Sequence, residues 1–159
     1  MTLSAKCEFL HANAYCADEK EYEAIMSNPM TQRLINLGEH VDVAVIGLGG
    51  MENNRMIRDG YITEEDVEEL QRMGAVGDVA LRFLDKGGDV LDVNVNNRII
   101  ASDLEKTCEN AREVVAIGFG REKTETLKAM MRGGLVTTLF TDFDTAELLL
   151  SKKRRRKNG

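Results

Sequence analysis

Val41-Asp-Val-Ala-Val-Ile46 runs directly into Gly47-Leu-Gly49-Gly50, and further along Val114-Val-Ala-Ile117 runs into Gly118-Phe-Gly120. Both are short, β-branched and almost wholly apolar, then punctuated by glycine. Unbroken apolarity marks a strand buried on both faces, as in a parallel sheet. Helical patterns surround them. Over 18–37, Tyr22, Ile25, Met26, Met30, Leu34 and Leu37 recur at three- and four-residue spacing, with Pro29 dividing the stretch and Gly38 placed to end it. Thr63 followed by Glu64, Glu65 and Asp66 reads as a helix start. A helix over 121–132 stops at Gly133-Gly134, a strand follows over 135–140, and Asp142 caps a last helix through Leu150. Asp85-Lys-Gly-Gly88 reads as a hairpin turn joining 79–84 to 90–95. Alternating strands and helices predict an α/β fold: three-layer, Rossmann-like, a mostly parallel sheet carrying an antiparallel hairpin.

The 159 residues suit one domain with a core of its own. With 43% apolar and 5% aromatic residues and a single proline, the composition excludes collagen-like, low-complexity and disordered classes. No apolar run approaches the roughly 20 residues of a membrane span, and residues 1–16 lack a signal-peptide pattern, so a cytoplasmic location is expected. The charge is −6, from 21 basic and 27 acidic residues. Six of the basic residues form the run Lys152, Lys153, Arg154, Arg155, Arg156, Lys157. The remaining body is strongly acidic and a poor partner for nucleic acid. Residues 151–159 read as a basic, disordered tail. Cys7, Cys16 and Cys108 make no C-x-x-C pair, and His11 and His40 are too few for a histidine metal centre or a recognisable triad. No metal site and no cofactor follow from the sequence.

In an open parallel sheet, ligands sit beyond the carboxyl ends of the strands. Two such ends are glycine-rich here. After the second comes Arg121-Glu-Lys123, where a helix opening offers free N–H groups, the positive end of its dipole and the Lys123 ammonium. That is the make-up of a phosphate site, though neither a P-loop nor a dinucleotide fingerprint. The rival reading is that these glycines only permit tight turns. Asp78, after Gly74-Ala-Val-Gly77, opens an apolar run where a carboxylate needs a partner. A cap or turn aspartate is its plainer role, as it is for Asp42 and Asp142.

Four blocks then point to a family. They are Gly47-Leu-Gly49 after an apolar strand, Gly74-Ala-Val-Gly77-Asp78, Ala116-Ile-Gly118-Phe-Gly120-Arg-Glu-Lys123, and Leu139-Phe-Thr141-Asp142-Phe-Asp-Thr145-Ala146. In this order and at these separations the chain resembles the SorC family of sugar-responsive transcriptional regulators, over residues 9–150. The resemblance implies an effector-binding domain related in fold to the sugar-phosphate isomerases, which recognises a phosphorylated sugar and controls DNA binding and oligomerisation. It implies that Asp78 bonds sugar hydroxyls and that Lys123 contacts a phosphate or hydroxyl. Gly47, Gly49, Gly50, Gly118 and Gly120 would line the pocket. Arg55 or Arg58 would add a phosphate contact, with Arg58 carried in the site set.

The chain departs from that family by having no room for the N-terminal helix-turn-helix, and by lacking the domain's first strand and phosphate loop. Residues 1–150 are therefore expected to be a partial effector-binding domain that contacts DNA only through a part it does not contain. A homo-oligomer is expected, because an uncovered sheet edge invites pairing. Two alternatives stand beside this reading: an isomerase or Schiff-base lyase using Lys123, and a pure assembly module. In the first, Arg121 and Lys128 would lower the lysine pKa and Glu122 would oppose them.

Overall fold

A computed structural model of the chain describes residues 4–151. In chain order the elements are α1 (Glu19–Met26), α2 (Pro29–Glu39), β1 (Val43–Gly50), α3 (Arg55–Arg58), α4 (Glu64–Arg72), β2 (Gly77–Val79) and β3 (Arg82–Leu84). Then come α5 (Asn94–Asn97), α6 (Leu104–Asn110), β4 (Glu113–Ile117), a 3₁₀ turn (Arg121–Lys123), α7 (Thr124–Arg132), β5 (Thr138–Phe140) and α8 (Phe143–Leu150). The five strands form one sheet in the order β3-β2-β1-β4-β5. β1, β4 and β5 are parallel, with Val45 opposite Val115 and Ala116 opposite Leu139. β2 and β3 are antiparallel additions on the other side of β1. The α/β class and the antiparallel pair on a parallel sheet are as the sequence predicts.

Helix ends follow local chemistry. Asn28 caps α2 by accepting from the Met30 N–H at 2.8 Å, and Pro29 takes the first helical position, where its missing N–H costs nothing. Thr63 and Asp66 close a reciprocal capping box on α4. Gly38 does not end its helix. It lies inside α2, where its bare Cα makes room for the Ser102 side chain.

The laddered hairpin precedes the expected one. Its reversal lies between β2 and β3, at Ala80 and Leu81, both left-handed with φ of 46° and 74°. The chain also bends at 85–89, where Asp85 Oδ1 accepts from the N–H groups of Gly87, Gly88 and Asp89, and one bridge, Leu84 to Val90, follows. The expected turn thus forms, with a short antiparallel pairing in which the Asp85 N–H donates to the Asp89 carbonyl at 3.0 Å, and a buried side chain extends it. Asn96 accepts from the Phe83 N–H at 2.9 Å and donates to the Phe83 and Leu91 carbonyls at 3.0 and 2.7 Å. With the Leu91 N–H donating to the Phe83 carbonyl at 3.0 Å, the outer edge of β3 is satisfied by a short backbone pairing and one side chain together.

The layering also differs from expectation. One face of the sheet is fully covered: Ala44, Ile46, Leu48, Val114 and Ala116 pack against Leu104 of α6 and Leu127 and Met130 of α7. The opposite face is covered only at the hairpin, where Phe83 meets Ile62, Leu70, Val93 and Val95. Over the parallel strands that face is open among the described residues, leaving Val45 66% and Phe140 58% exposed. Three layers exist at one end of the sheet and two at the other.

Candidate functional site

Gly47, Gly49, Asp78 and Phe83 share the partly covered face, because the registers place Gly49 opposite Asp78 and Asp78 opposite Phe83. Between the covered hairpin and the open parallel strands lies a cavity of about 490 Å³. That volume suits a small-molecule ligand. Its floor is β1 from Gly47 to Gly50; its sides are the polar loop before α3, the strained Ala80–Leu81 tip, and Glu122 with Lys123 from the 3₁₀ turn. Gly47–Gly50 is thus strand rather than turn. A Cβ on Gly47 would meet nothing, so this glycine keeps the floor flat and open. A Cβ on Gly49 would run into the Asp78 carboxylate, and one on Gly50 into the Glu122 carbonyl. The glycines let Asp78 and the 3₁₀ turn approach the strand.

Asp78 is 5% exposed. Burial raises its pKa above the ordinary carboxylate value; a hydrogen bond from Asn54, backbone N–H groups of Asp78 and Leu81, and the Lys123 charge all oppose this. Lys123 lies with its ammonium 5.6 Å from the centre of the Phe119 ring, a cation–π contact beside the cavity. Both residues singled out from the sequence therefore reach one cavity. The arginines separate: Arg55 lines it, whereas Arg58 does not. Each donates through Nε to Asp59 at 3.1 Å.

Gly118 and Gly120 do not line this cavity. A Cβ on Gly118 would sit 2.8 Å from Leu48, so its bareness serves packing. Gly120, at φ 105°, turns the chain into the 3₁₀ turn, and its N–H donates to buried Thr145 at 2.9 Å. It borders a second cavity, of about 520 Å³, with Asp142, Asp144 and Glu147. Volume does not separate the two, and each is lined by three carboxylates; the cations differ, since Arg55 and Lys123 line the first and Arg121 alone the second. Asp142 itself caps α8, accepting from the Thr145 N–H at 2.7 Å.

The sequence reading missed two residues here: Asn54 lines the cavity, whereas Tyr15 stands outside its lining, against Met56 and Leu81. Asn54, 4% exposed, touches Asp78, and only its position before a short helix hinted at a role. Tyr15 bonds the Met56 sulfur at 3.0 Å and lies 3.5 Å from the Leu81 carbonyl; burial, with help from the Asp78 charge, raises its pKa and keeps it protonated. Its distance along the chain left no local signal. Among the described residues no cluster of His, Cys, Asp or Glu could hold a metal ion, and no helix is long and apolar enough to cross a membrane.

The sheet with its antiparallel pair, and a cavity at the carboxyl end of β1, make this an α/β module with an opening where such sheets commonly take ligands. A family model described as “Putative sugar-binding domain” matches residues 1–151, and the chain belongs to that family. The sorbitol operon regulator of Klebsiella pneumoniae is 28% identical over 156 residues, covering 89% of this chain and 47% of the relative. The transcriptional regulator LsrR of Escherichia coli O9:H4 (strain HS) is 35% identical over 113 residues, covering 69% and 35%. A DeoR family transcriptional regulator from Listeria monocytogenes superposes with a TM-score of 0.84 at 30% identity, over 90% of this chain and 58% of that one. Full-length SorC from Klebsiella pneumoniae does so with a TM-score of 0.77 at 25% identity, over 87% and 45%. The SorC resemblance carried by the four sequence blocks is thus met by relatives of that name. These relatives are regulators rather than enzymes, and this chain spans about half or less of the length of the two curated relatives.

Proposed function

We propose that this chain is part of a regulator's effector-binding domain, and that its cavity takes a phosphorylated sugar reversibly and without turnover. The observation that carries the proposal is the meeting of Asp78 and Lys123 in one glycine-floored cavity. Lys123 supplies a full positive charge for a phosphate; Asp78 supplies an acceptor for hydroxyl donors. Gly47, Gly49 and Gly50 let the ligand lie against the backbone, and Arg55, rather than Arg58, is placed to add a cation. The regulatory role is supported by the relatives' names; DNA would be contacted through a helix-turn-helix domain outside these residues, in the cytoplasm.

An isomerase or Schiff-base lyase would need a general acid or base free to act on the substrate. Here one oxygen of Asp78 already accepts from Asn54, and Lys123 rests beside Phe119. A thermal-shift screen of hexitol, hexose and pentose phosphates against their unphosphorylated parents, each sample then assayed for product, tests both readings. The expected result is stabilisation by at least one phosphorylated compound with that compound recovered unchanged. Stabilisation by none, or conversion of the ligand, contradicts the proposal.

A further inference from the structure

Asn54 is buried in a pocket wall and has every polar group committed. Its Oδ1 accepts from the Met56 N–H at 3.0 Å, and its Nδ2 donates to the Gly50 carbonyl at 3.0 Å and to Asp78 Oδ1 at 2.8 Å. These three contacts fix the amide. Turned over, its oxygen would face the Gly50 carbonyl oxygen and the Asp78 carboxylate, two acceptors. The side chain therefore joins the floor strand, the polar loop and the candidate ligand-binding carboxylate.

We propose that Asn54 is the positioning residue of this site, holding Asp78 in one orientation as a hydrogen-bond acceptor, so that the position facing Asp78 selects a ligand hydroxyl. The proposal deepens the sugar-phosphate reading and rests on it. The bond engages Oδ1, and the bare Cα of Gly49 leaves room for that oxygen where a side chain would displace it. A donor at Oδ1 favours the ionised carboxylate, and an ionised carboxylate can only accept. Without Asn54 the buried acid would hold a proton more readily and would offer a donor, which fits an ether or carbonyl oxygen as well as a hydroxyl. Burial and the neighbouring Lys123 act on Asp78 in opposite senses, so one fixed donor has leverage on its state.

Asn54 also caps α3, and the test must separate the two roles. Asn54→Ser keeps a capping oxygen but cannot reach Asp78, and Asn54→Asp keeps both cap and shape while replacing the donor by a second acceptor. The experiment is a carbon-detected NMR titration of aspartate carboxyls in the unliganded 159-residue protein. In Asn54→Ser the Asp78 midpoint is expected to rise by about one pH unit. In Asn54→Asp the paired carboxyls should show one strongly raised midpoint. Should Asn54→Ser fail to fold, the isosteric Asn54→Asp carries the test. An Asp78 midpoint unchanged from wild type in a folded variant overturns the proposal and leaves Asn54 as a helix cap. Because no ligand is present, this result stands apart from that of the sugar-phosphate screen.

Discussion

Asp66 and Asp78 are both nearly buried aspartates, and their surroundings push them in opposite directions. Burial acts on each to raise the pKa. At Asp66 it is outweighed by hydrogen bonds from Thr63 and Arg98, with Arg98 Nη2 donating to both carboxylate oxygens at 2.7 and 2.9 Å. Arg98 also holds the Cys16 and Ala17 carbonyls, so the pair ties the N-terminal segment to α4. The folded pKa of Asp66 is lowered, so its stabilisation is present above the unfolded value of about 3.9 and is lost as pH falls through the folded value. Asp78, with a raised folded pKa, has the reverse sign: its ionisation at neutral pH works against folding. Asp66→Asn is expected to cost about 1.5–3 kcal/mol at pH 7, because it removes the charge that pairs with Arg98 while leaving the guanidinium the Cys16 and Ala17 carbonyls. Urea unfolding of both proteins from pH 7 to pH 3 should show the gap narrowing in acid; a constant or negligible gap contradicts this account.

The β2–β3 hairpin carries backbone strain beside the candidate cavity. Ala80 and Leu81 both take left-handed backbone, which costs an L-residue roughly 1–2 kcal/mol each. In exchange the Leu81 N–H reaches Asp78 and the tip forms one side of the cavity. Ala80→Gly should relieve part of that cost and raise unfolding stability by about 0.5–1 kcal/mol, less than the full strain because glycine also loosens the unfolded chain. Thermal unfolding would read it, and a destabilised variant would show that the tip is not strained. This hairpin was not legible in the sequence. Asp85-Lys-Gly-Gly88 carries the usual turn residues, whereas Ala80-Leu81 carries none, and tertiary contacts impose its geometry. Elements whose local chemistry agrees with their environment were legible: the Pro29 break, the Thr63 box, the Asp142 cap and the apolar runs of β1 and β4. Asp78 and Lys123 could be found because a buried acid and a cation beside glycines break the local pattern. Asn54 could not, since an asparagine in a polar loop breaks nothing.

At the scale of the molecule, the open face of the parallel strands is the unfinished feature. Val43, Val45, Ile117 and Phe140 line up on it, and the flanking Phe119 and Phe143 are 58% and 75% exposed. Parallel sheets are ordinarily covered on both sides, and an apolar surface of this kind marks an interface. The apolar runs announced coverage on both faces, but strand sequence does not say which chain supplies the cover. The protein is expected to self-associate through this face, sedimenting as a dimer or larger species at high micromolar concentration. A clean monomer there contradicts the expectation. The basic run at residues 152–157 lies outside the described residues, and its expected role as a solvated tail is untouched by this account.

Asp78 and Lys123 are proposed to serve different parts of one phosphorylated sugar. Calorimetric titration with the most stabilising sugar phosphate and its unphosphorylated parent, on wild type, Lys123→Ala and Asp78→Asn, tests this most directly. Lost charge-assisted hydrogen bonds cost about 1.5–3 kcal/mol, roughly ten- to a hundredfold in affinity. Lys123→Ala should weaken the phosphorylated ligand by that factor and hardly change any binding of the parent, whereas Asp78→Asn should weaken both. Affinities for both ligands within twofold of wild type in both variants would contradict the account and put the sugar elsewhere.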